Sequence, residues 1–168
     1  MNTDTLPAPR PTHRGTFALV FAATLLTAAI GAYASIDAKA FYASLAQPAW
    51  APPPTVFGPV WTVLYLMMGL AACLVVQRLG LRAARPALWL YGAQLVANAL
   101  WTWLFFHWHT GAWAFAEVLL LLAGVALTLR AFWQARPLAG ALLLPYLAWV
   151  GFASALTFAM WRLNPGVL

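Results

Sequence analysis

Charge is almost absent from four long stretches of this chain, and that constrains its fold more than any other feature. From Gly15 to Ile36 and from Ala40 to Gln77 no side chain is charged. Between Pro86 and Leu129 only Glu117 interrupts, and Pro137 to Trp161 is again free of charge. A helix needs ~20 apolar residues to cross a hydrocarbon core of about 30 Å, and these runs are long enough. The whole chain of 168 residues is 64% hydrophobic and 7% charged, whereas a soluble domain carries about 25% charged residues. Too little charge remains to face water, so the chain reads as an integral membrane protein. Its partner on most sides is the lipid bilayer.

Net charge is +6, which in a soluble protein would raise nucleic-acid binding. Here the basic residues fall in the connections, no basic face survives outside the membrane segments, and no nucleic-acid partner is expected. Residues 1–14 are polar and carry Pro7, Pro9 and Pro11, the composition of a disordered tail. Five spans follow at about 16–36, 55–77, 87–106, 112–132 and 139–161. They make an all-α membrane protein, a five-transmembrane-helix bundle occupying 15–165 with no second domain. A rival reading of the first run is a secretory signal, with Arg10 and Arg14 before it and Ala32-Tyr33-Ala34 as a small-residue cleavage site. The run exceeds the usual signal core of about 7–15 residues, which favours a retained span. Whether 1–34 is ever cleaved stays open.

Between the first two spans lies a connection with Asp37, Lys39, Gln47, Pro48 and Pro52 to Pro54, and Phe41-Tyr42 with Leu45 suggests a short interfacial helical turn. Pro59 is expected to bend the second span near Trp61. Arg78, Arg82 and Arg85 should form the next connection, closed by Pro86. With five spans, one side carries Arg10, Arg14, Arg78, Arg82, Arg85, Arg130 and Arg136, and the other only Lys39 and Arg162. The positive-inside rule then puts the N-terminus in the cytoplasm and the C-terminus outside. A helical bundle of this kind suits a bacterial inner membrane, since barrels are the rule in outer membranes.

Polar and indole groups inside such spans need partners, so they are natural lining for a ligand cavity. Interfacial belts account for Trp50, Trp108, Trp113, Trp133 and Trp161. They account poorly for Trp61 and Trp149, which lie deeper, and a buried indole wants a flat surface for its face. Gln94, Asn98, Trp101 and Phe105 follow one another at helical spacing, so one face reads amide, amide, indole, phenyl. Buried amides serve either as interhelical hydrogen-bond glue or as handles for a polar ligand group. Both readings stand at this point.

Glu117 is the one acid deep in a span, either a proton-coupled functional group or an interfacial hydrogen-bonding one. His107 and His109 have no acid or thiol beside them, so no metal site is expected. Cys73 is the lone cysteine, which rules out an intrachain disulfide. Serine elbows, paired carboxylates and phosphate loops are missing. Small residues in line, Ala93 and Ala97 after Trp89 and Ala28 before Ala32, permit close helix approach. A homodimer through the third span is one use for them.

Together these motifs resemble the TspO/MBR family, the tryptophan-rich sensory proteins whose mitochondrial members are called translocator protein or peripheral-type benzodiazepine receptor. The resemblance runs from about Ala40 to Asn164. It rests on Gln47-Pro48-x-Trp50-x-Pro52-Pro53, Val56-Phe57-Gly58-x-Val60-Trp61 with Leu64-Tyr65, and Gln94-Leu95-x-x-Asn98-x-x-Trp101. Phe105-Phe106, Glu117, Pro145-Tyr146-x-x-Trp149 and Arg162-Leu163-Asn164 complete it. The resemblance implies a dimeric five-helix bundle that binds tetrapyrroles, protoporphyrin IX or haem, as ligand, with no cofactor required. Its pocket would use Trp50, Trp61, Tyr65, Asn98, Trp101, Tyr146, Trp149 and Ala153. Indoles and Tyr65 would stack on the macrocycle, Asn98 would hydrogen-bond it, and the Pro-rich connection would lid the opening.

Two departures qualify that picture. Leu156-Thr157 stands where the family often has Leu-Asn, and Phe158 before Arg162 lacks the tyrosine of the animal sterol motif, so sterol binding is not expected. The leading expectation is a porphyrin transporter, sensor or buffer. The alternatives are a light- and oxygen-dependent porphyrin-degrading enzyme, with Trp61 and Trp149 as redox partners, and a proton-coupled exporter using Glu117.

Overall fold

In a computed structural model, residues 14–168 are described. The described residues are mostly helical. Helix α1 spans Arg14–Ala34, and a short α2 spans Ala38–Ser44. A 3-10 turn, Pro54–Val56, leads into α3, Phe57–Thr102. A π-helical turn, Trp103–His107, closes α3, and α4 then covers Gly111–Ala135. Finally come α5, Pro137–Ala141, and α6, Leu144–Leu163. The tail expected at 1–14 lies outside the described residues except for Arg14, which begins α1.

Among the described residues four helical stretches are long and apolar enough to cross a bilayer: Gly15–Ala34, Pro54–His107, Gly111–Ala135 and Pro137–Leu163. The second of these is not a rod. A straight helix of 46 residues would run about 69 Å at 1.5 Å per residue, yet Trp61 near its start and Trp101 near its end have ring centroids 6.4 Å apart. The chain folds back at Gly80, where φ 75 and ψ 161 leave the helical region. That conformation is essentially open to glycine alone. The two arms, 57–79 and 81–102, therefore lie antiparallel and overlap the second and third expected spans, 55–77 and 87–106.

The turn is tighter than the sequence suggested. The connection expected over Arg78–Pro86 is a single glycine, and helix resumes before Pro86. Pro86 sits on an exposed face in the second turn of the second arm, where it removes the N–H that would bond Arg82 C=O. Pro59 is the third residue of α3, and Gly80 is the one non-helical position inside that helix, so the expected bend at Trp61 is not seen. The first amides of a helix have no intrahelical acceptor anyway, so proline there removes nothing. The last expected span, 139–161, is broken in two. α5 stops at Ala141, and α6 restarts with Pro145 in its first turn.

Burial follows helical period on each inward face. In the second arm of α3, Ala84, Ala87, Tyr91, Gln94, Asn98 and Trp101 are buried, and in α6 Tyr146, Val150, Ala153, Thr157 and Met160. Ala71, Ala72, Ala84, Ala114 and Ala139 are wholly buried, letting backbones approach closely as small residues do in membranes. The outward faces carry Leu19, Leu26, Leu120 and Leu127 in the open. In water they would form an apolar surface far beyond what a soluble monomer tolerates, so hydrocarbon is the solvent that fits. Buried hydroxyls are satisfied locally: Thr24, Thr27, Thr128 and Ser154 each donate to the carbonyl four residues back.

Candidate ligand-binding site

Three helices, α2, α3 and α6, and the π-helical turn converge on a patch of aromatic side chains beneath the Pro-rich connection. Tyr42, Phe57, Trp61, Trp101, Phe105 and Phe106 line a small cavity together with Trp149, Phe152, Ala153, Leu156 and Thr157. Its volume is ≈ 20 Å³, about the space one water needs. The rings fill the site with one another. Trp61 meets Trp101 at 6.4 Å and crosses Tyr146 edge-on at 6.1 Å. Trp149 contacts Phe152 at 5.5 Å and Phe57 at 6.0 Å. Trp101 stacks on Phe105 at 6.1 Å, 19° between planes, and meets Phe106 edge-on. The π turn is marked by Trp108 N–H donating to Trp103 C=O. Its extra residue per turn helps two consecutive phenyls share one wall.

Below the rings runs a directed hydrogen-bond chain. Tyr65 Oη donates to Asn98 Oδ1 at 2.6 Å, and Asn98 Nδ2 donates to Tyr146 Oη at 3.1 Å. Tyr146 Oη donates in turn to Gln94 Oε1 at 2.8 Å, and Gln94 Nε2 points at Met68 Sδ at 4.0 Å. Gln94, Asn98 and Tyr146 are nearly or wholly inaccessible. Of the two readings open for the amides, interhelical bonding is the one they occupy here, tying both arms of α3 to α6. Gly31 of α1 lies over the Tyr65 and Thr102 hydroxyls, closing the network from that side.

The expected residues thus separate into three groups. Trp61, Trp101, Trp149 and Ala153 line the cavity. Tyr65, Asn98 and Tyr146 form the floor network rather than the wall. Trp50 stands outside, half exposed, its ring edge-on to Phe152 at 5.7 Å. Sequence reasoning missed Tyr42, Phe57, Phe106, Phe152, Leu156 and the wall position of Thr157. Phe152 follows Trp149 by three residues on one helix face, a spacing that was legible. Tyr42 comes from α2, and only the tertiary fold brings it in. Burial holds its phenol above the ordinary range, so it stays protonated and donates to Pro52 C=O at 3.0 Å.

A second, larger space adjoins the first. An apolar groove of ≈ 610 Å³ runs between α3 and α6, lined by Pro59, Val60, Val63, Leu64, Met67, Pro145, Ala148, Trp149 and Phe152. Trp149 and Phe152 separate the two spaces and belong to both. Elsewhere, Glu117 is buried on α4 with neither carboxyl oxygen bonded, and Trp101 Nε1 is likewise buried without a partner. His109, at φ 52, stacks on Phe41 at 3.8 Å.

These features define a multi-pass helical membrane protein with an aromatic site under a proline-rich connection. The TspO/MBR family model matches residues 17–162. Translocator protein of Homo sapiens is 42% identical over 128 residues, 75% of this chain and 76% of its own length. Protein CrtK of Rhodobacter capsulatus is 38% identical over 152 residues, 89% and 93% respectively. Tryptophan-rich sensory protein of Cereibacter sphaeroides is 44% identical over 124 residues, 74% and 77%. The chain belongs to the TspO/MBR family, as the motifs of its sequence indicated.

Proposed function

We propose that this protein binds a tetrapyrrole, protoporphyrin IX or haem, in the aromatic cavity and acts as a porphyrin transporter, sensor or buffer in the membrane. The observation that carries the reading is the cavity wall: eight aromatic rings from three helices and the π turn face one space. Flat aromatic faces match a planar macrocycle, and dispersion and stacking reward that match. The relatives' names, translocator and sensory protein, fit movement or sensing of a small ligand.

At ≈ 20 Å³ the cavity is too small for a macrocycle, which enters only if rings part. Rotating Trp149 and Phe152 would join it to the ≈ 610 Å³ groove, a volume in the range of ordinary ligand sites. Trp50 and the connection would cover the result, and Trp61 and Trp101 would stack on the ring. The test is quenching of tryptophan fluorescence by protoporphyrin IX in purified protein. Trp149→Ala should weaken binding at least tenfold; wild-type affinity in that variant would move the site elsewhere. Running the titration in the dark and then under light separates binding from degradation. A discrete bilin-like product would favour the enzymatic alternative with Trp61 and Trp149 as redox partners.

A second reading draws on Glu117. A buried carboxyl without a hydrogen-bond partner suits a proton carrier in a bilayer, and flux lost in Glu117→Gln would support proton-coupled export. We further infer that both arms of α3 cross the membrane, giving five crossings, with the N-terminus cytoplasmic and the C-terminus outside. A bacterial inner membrane is the setting this implies. The face bearing Trp89 and Val96, 78% and 70% exposed, with Ala93 between them and Ala97 next in line, supports a homodimer through the second arm of α3.

A further inference from the structure

One side chain at the end of α6 holds the connection in place. The Asn164 carboxamide addresses a single residue twice: Oδ1 accepts from Ala46 N–H at 2.8 Å, and Nδ2 donates to Ala46 C=O at 3.0 Å. Nδ2 also donates to Met160 C=O at 2.7 Å, which fixes the way round the amide lies. Asn164 is 8% exposed. Its own carbonyl accepts from Val167 and Leu168 N–H at 3.2 and 3.1 Å, so the clamp stands on a braced turn.

From this anchor onward residues 46–53 run against two wall residues of the aromatic cavity. Trp50 rests edge-on against Phe152, and Pro52 C=O is bonded by Tyr42, both of them wall residues. The segment is poor in donors, because Pro48, Pro52 and Pro53 have no N–H. Among the described residues its remaining hydrogen bonds are local, Gln47 to Tyr42, Tyr42 to Pro52, Ala51 to Pro48 and Val56 to Pro53. The bonds that tie it to a distant helix are those of Asn164.

We propose that Asn164 is the latch of a lid formed by residues 46–53, and that its release sets how fast a ligand enters and leaves the cavity. This rests on the cavity being the ligand site. A cavity of ≈ 20 Å³ admits nothing larger than a water, so ligand exchange requires its rings to part, and the latched connection packs on two of them, Phe152 and Tyr42. Weakening the latch raises the open population without touching the wall. Entry and exit then accelerate together while affinity shifts little, a signature that loss of folded protein does not produce.

Two variants separate the latch from the stability of α6. Asn164→Ala removes the clamp and the bond to Met160. Ala46→Pro removes only the Ala46 N–H and leaves that cap in place. Leu45, at φ −81 and ψ 147, already has the extended backbone that a following proline demands. Each is measured twice: by hydrogen exchange of the ligand-free protein, and by stopped-flow fluorescence with protoporphyrin IX. Losing one part-buried hydrogen bond should speed exchange at Ala51, the hydrogen-bonded amide of the segment, by about threefold to tenfold, with α4 and α6 interior amides unchanged. Association and dissociation of porphyrin should rise by a similar factor. Unchanged exchange over 46–51 in both variants overturns the latch, as does exchange raised equally across α4 and α6. Faster lid exchange with unaltered porphyrin rates also overturns it as the controlling step. If wild type binds no porphyrin, the cavity reading fails while the exchange data still decide whether Asn164 holds the lid.

Discussion

Asn98 is the residue on which the interior of the bundle turns. Its carboxamide accepts from Tyr65 and donates to Tyr146, so one side chain joins both arms of α3 to α6. Asn98→Ala takes the acceptor from the Tyr65 hydroxyl and one of two bonds from Tyr146, which keeps its bond to Gln94. Leaving a buried polar group without its partner costs about 1–3 kcal/mol, and a clear drop in unfolding temperature in detergent should report it. Wild-type stability in Asn98→Ala would mean that the phenols find other partners and the network is dispensable. Tyr65→Phe removes one donor and should cost less, because Asn98 keeps its bond to Tyr146. The sequence marked Asn98 correctly as a buried amide in need of a partner. It could not say which partner, because glue and ligand handle place the same residue at the same depth.

At the scale of elements, Gly80 makes a hairpin from what would otherwise be one long helix. At φ 75 and ψ 161 it occupies a region that a side chain disfavours by about 1–3 kcal/mol, although a Cβ there would meet nothing within 4 Å. Gly80→Ala should therefore destabilise through backbone strain alone. Gly92, helical and likewise uncrowded, is the control. Gly92→Ala should be neutral or gain up to about 1 kcal/mol from helix propensity. Equal effects at the two positions, read from unfolding curves in one detergent, would remove strain as the explanation. Existence and approximate span of each helix were legible, because long uncharged runs admit little else in a bilayer. Turns were not. Arg78, Arg82, Arg85 and Pro86 suggested a loop, whereas one glycine sufficed and the arginines remain helical. The break at Leu142 and Leu143 went unseen because Pro145 also suits a helix's first turn.

For the whole molecule, topology and assembly can be tested without any ligand. With buried Cys73 changed to Ala, single cysteines at Ala49 and Arg82 should label from opposite faces of oriented vesicles. Labelling of both from one face would mean that the first arm of α3 does not cross, and the five-crossing arrangement would fall. In the same background, Val96→Cys should give disulfide-linked dimers in native membranes if the exposed face of the second arm pairs across a two-fold axis. Purely monomeric protein under oxidising conditions would direct the search to another face. Neither outcome depends on what occupies the cavity.

By itself the sequence determined the solvent, the helical character and the aromatic and amide identity of the site, because solvent choice follows from where charge is absent and site chemistry from which side chains are present. The tertiary structure alone decided that the rings close on each other around ≈ 20 Å³, that the amides bond between helices, and that Asn164 grips Ala46 across 118 positions of chain. Cavity volume and hydrogen-bond pairing depend on how helices distant in sequence pack. Periodicity fixes which face of a helix turns inward, but not how far that face stands from its neighbour.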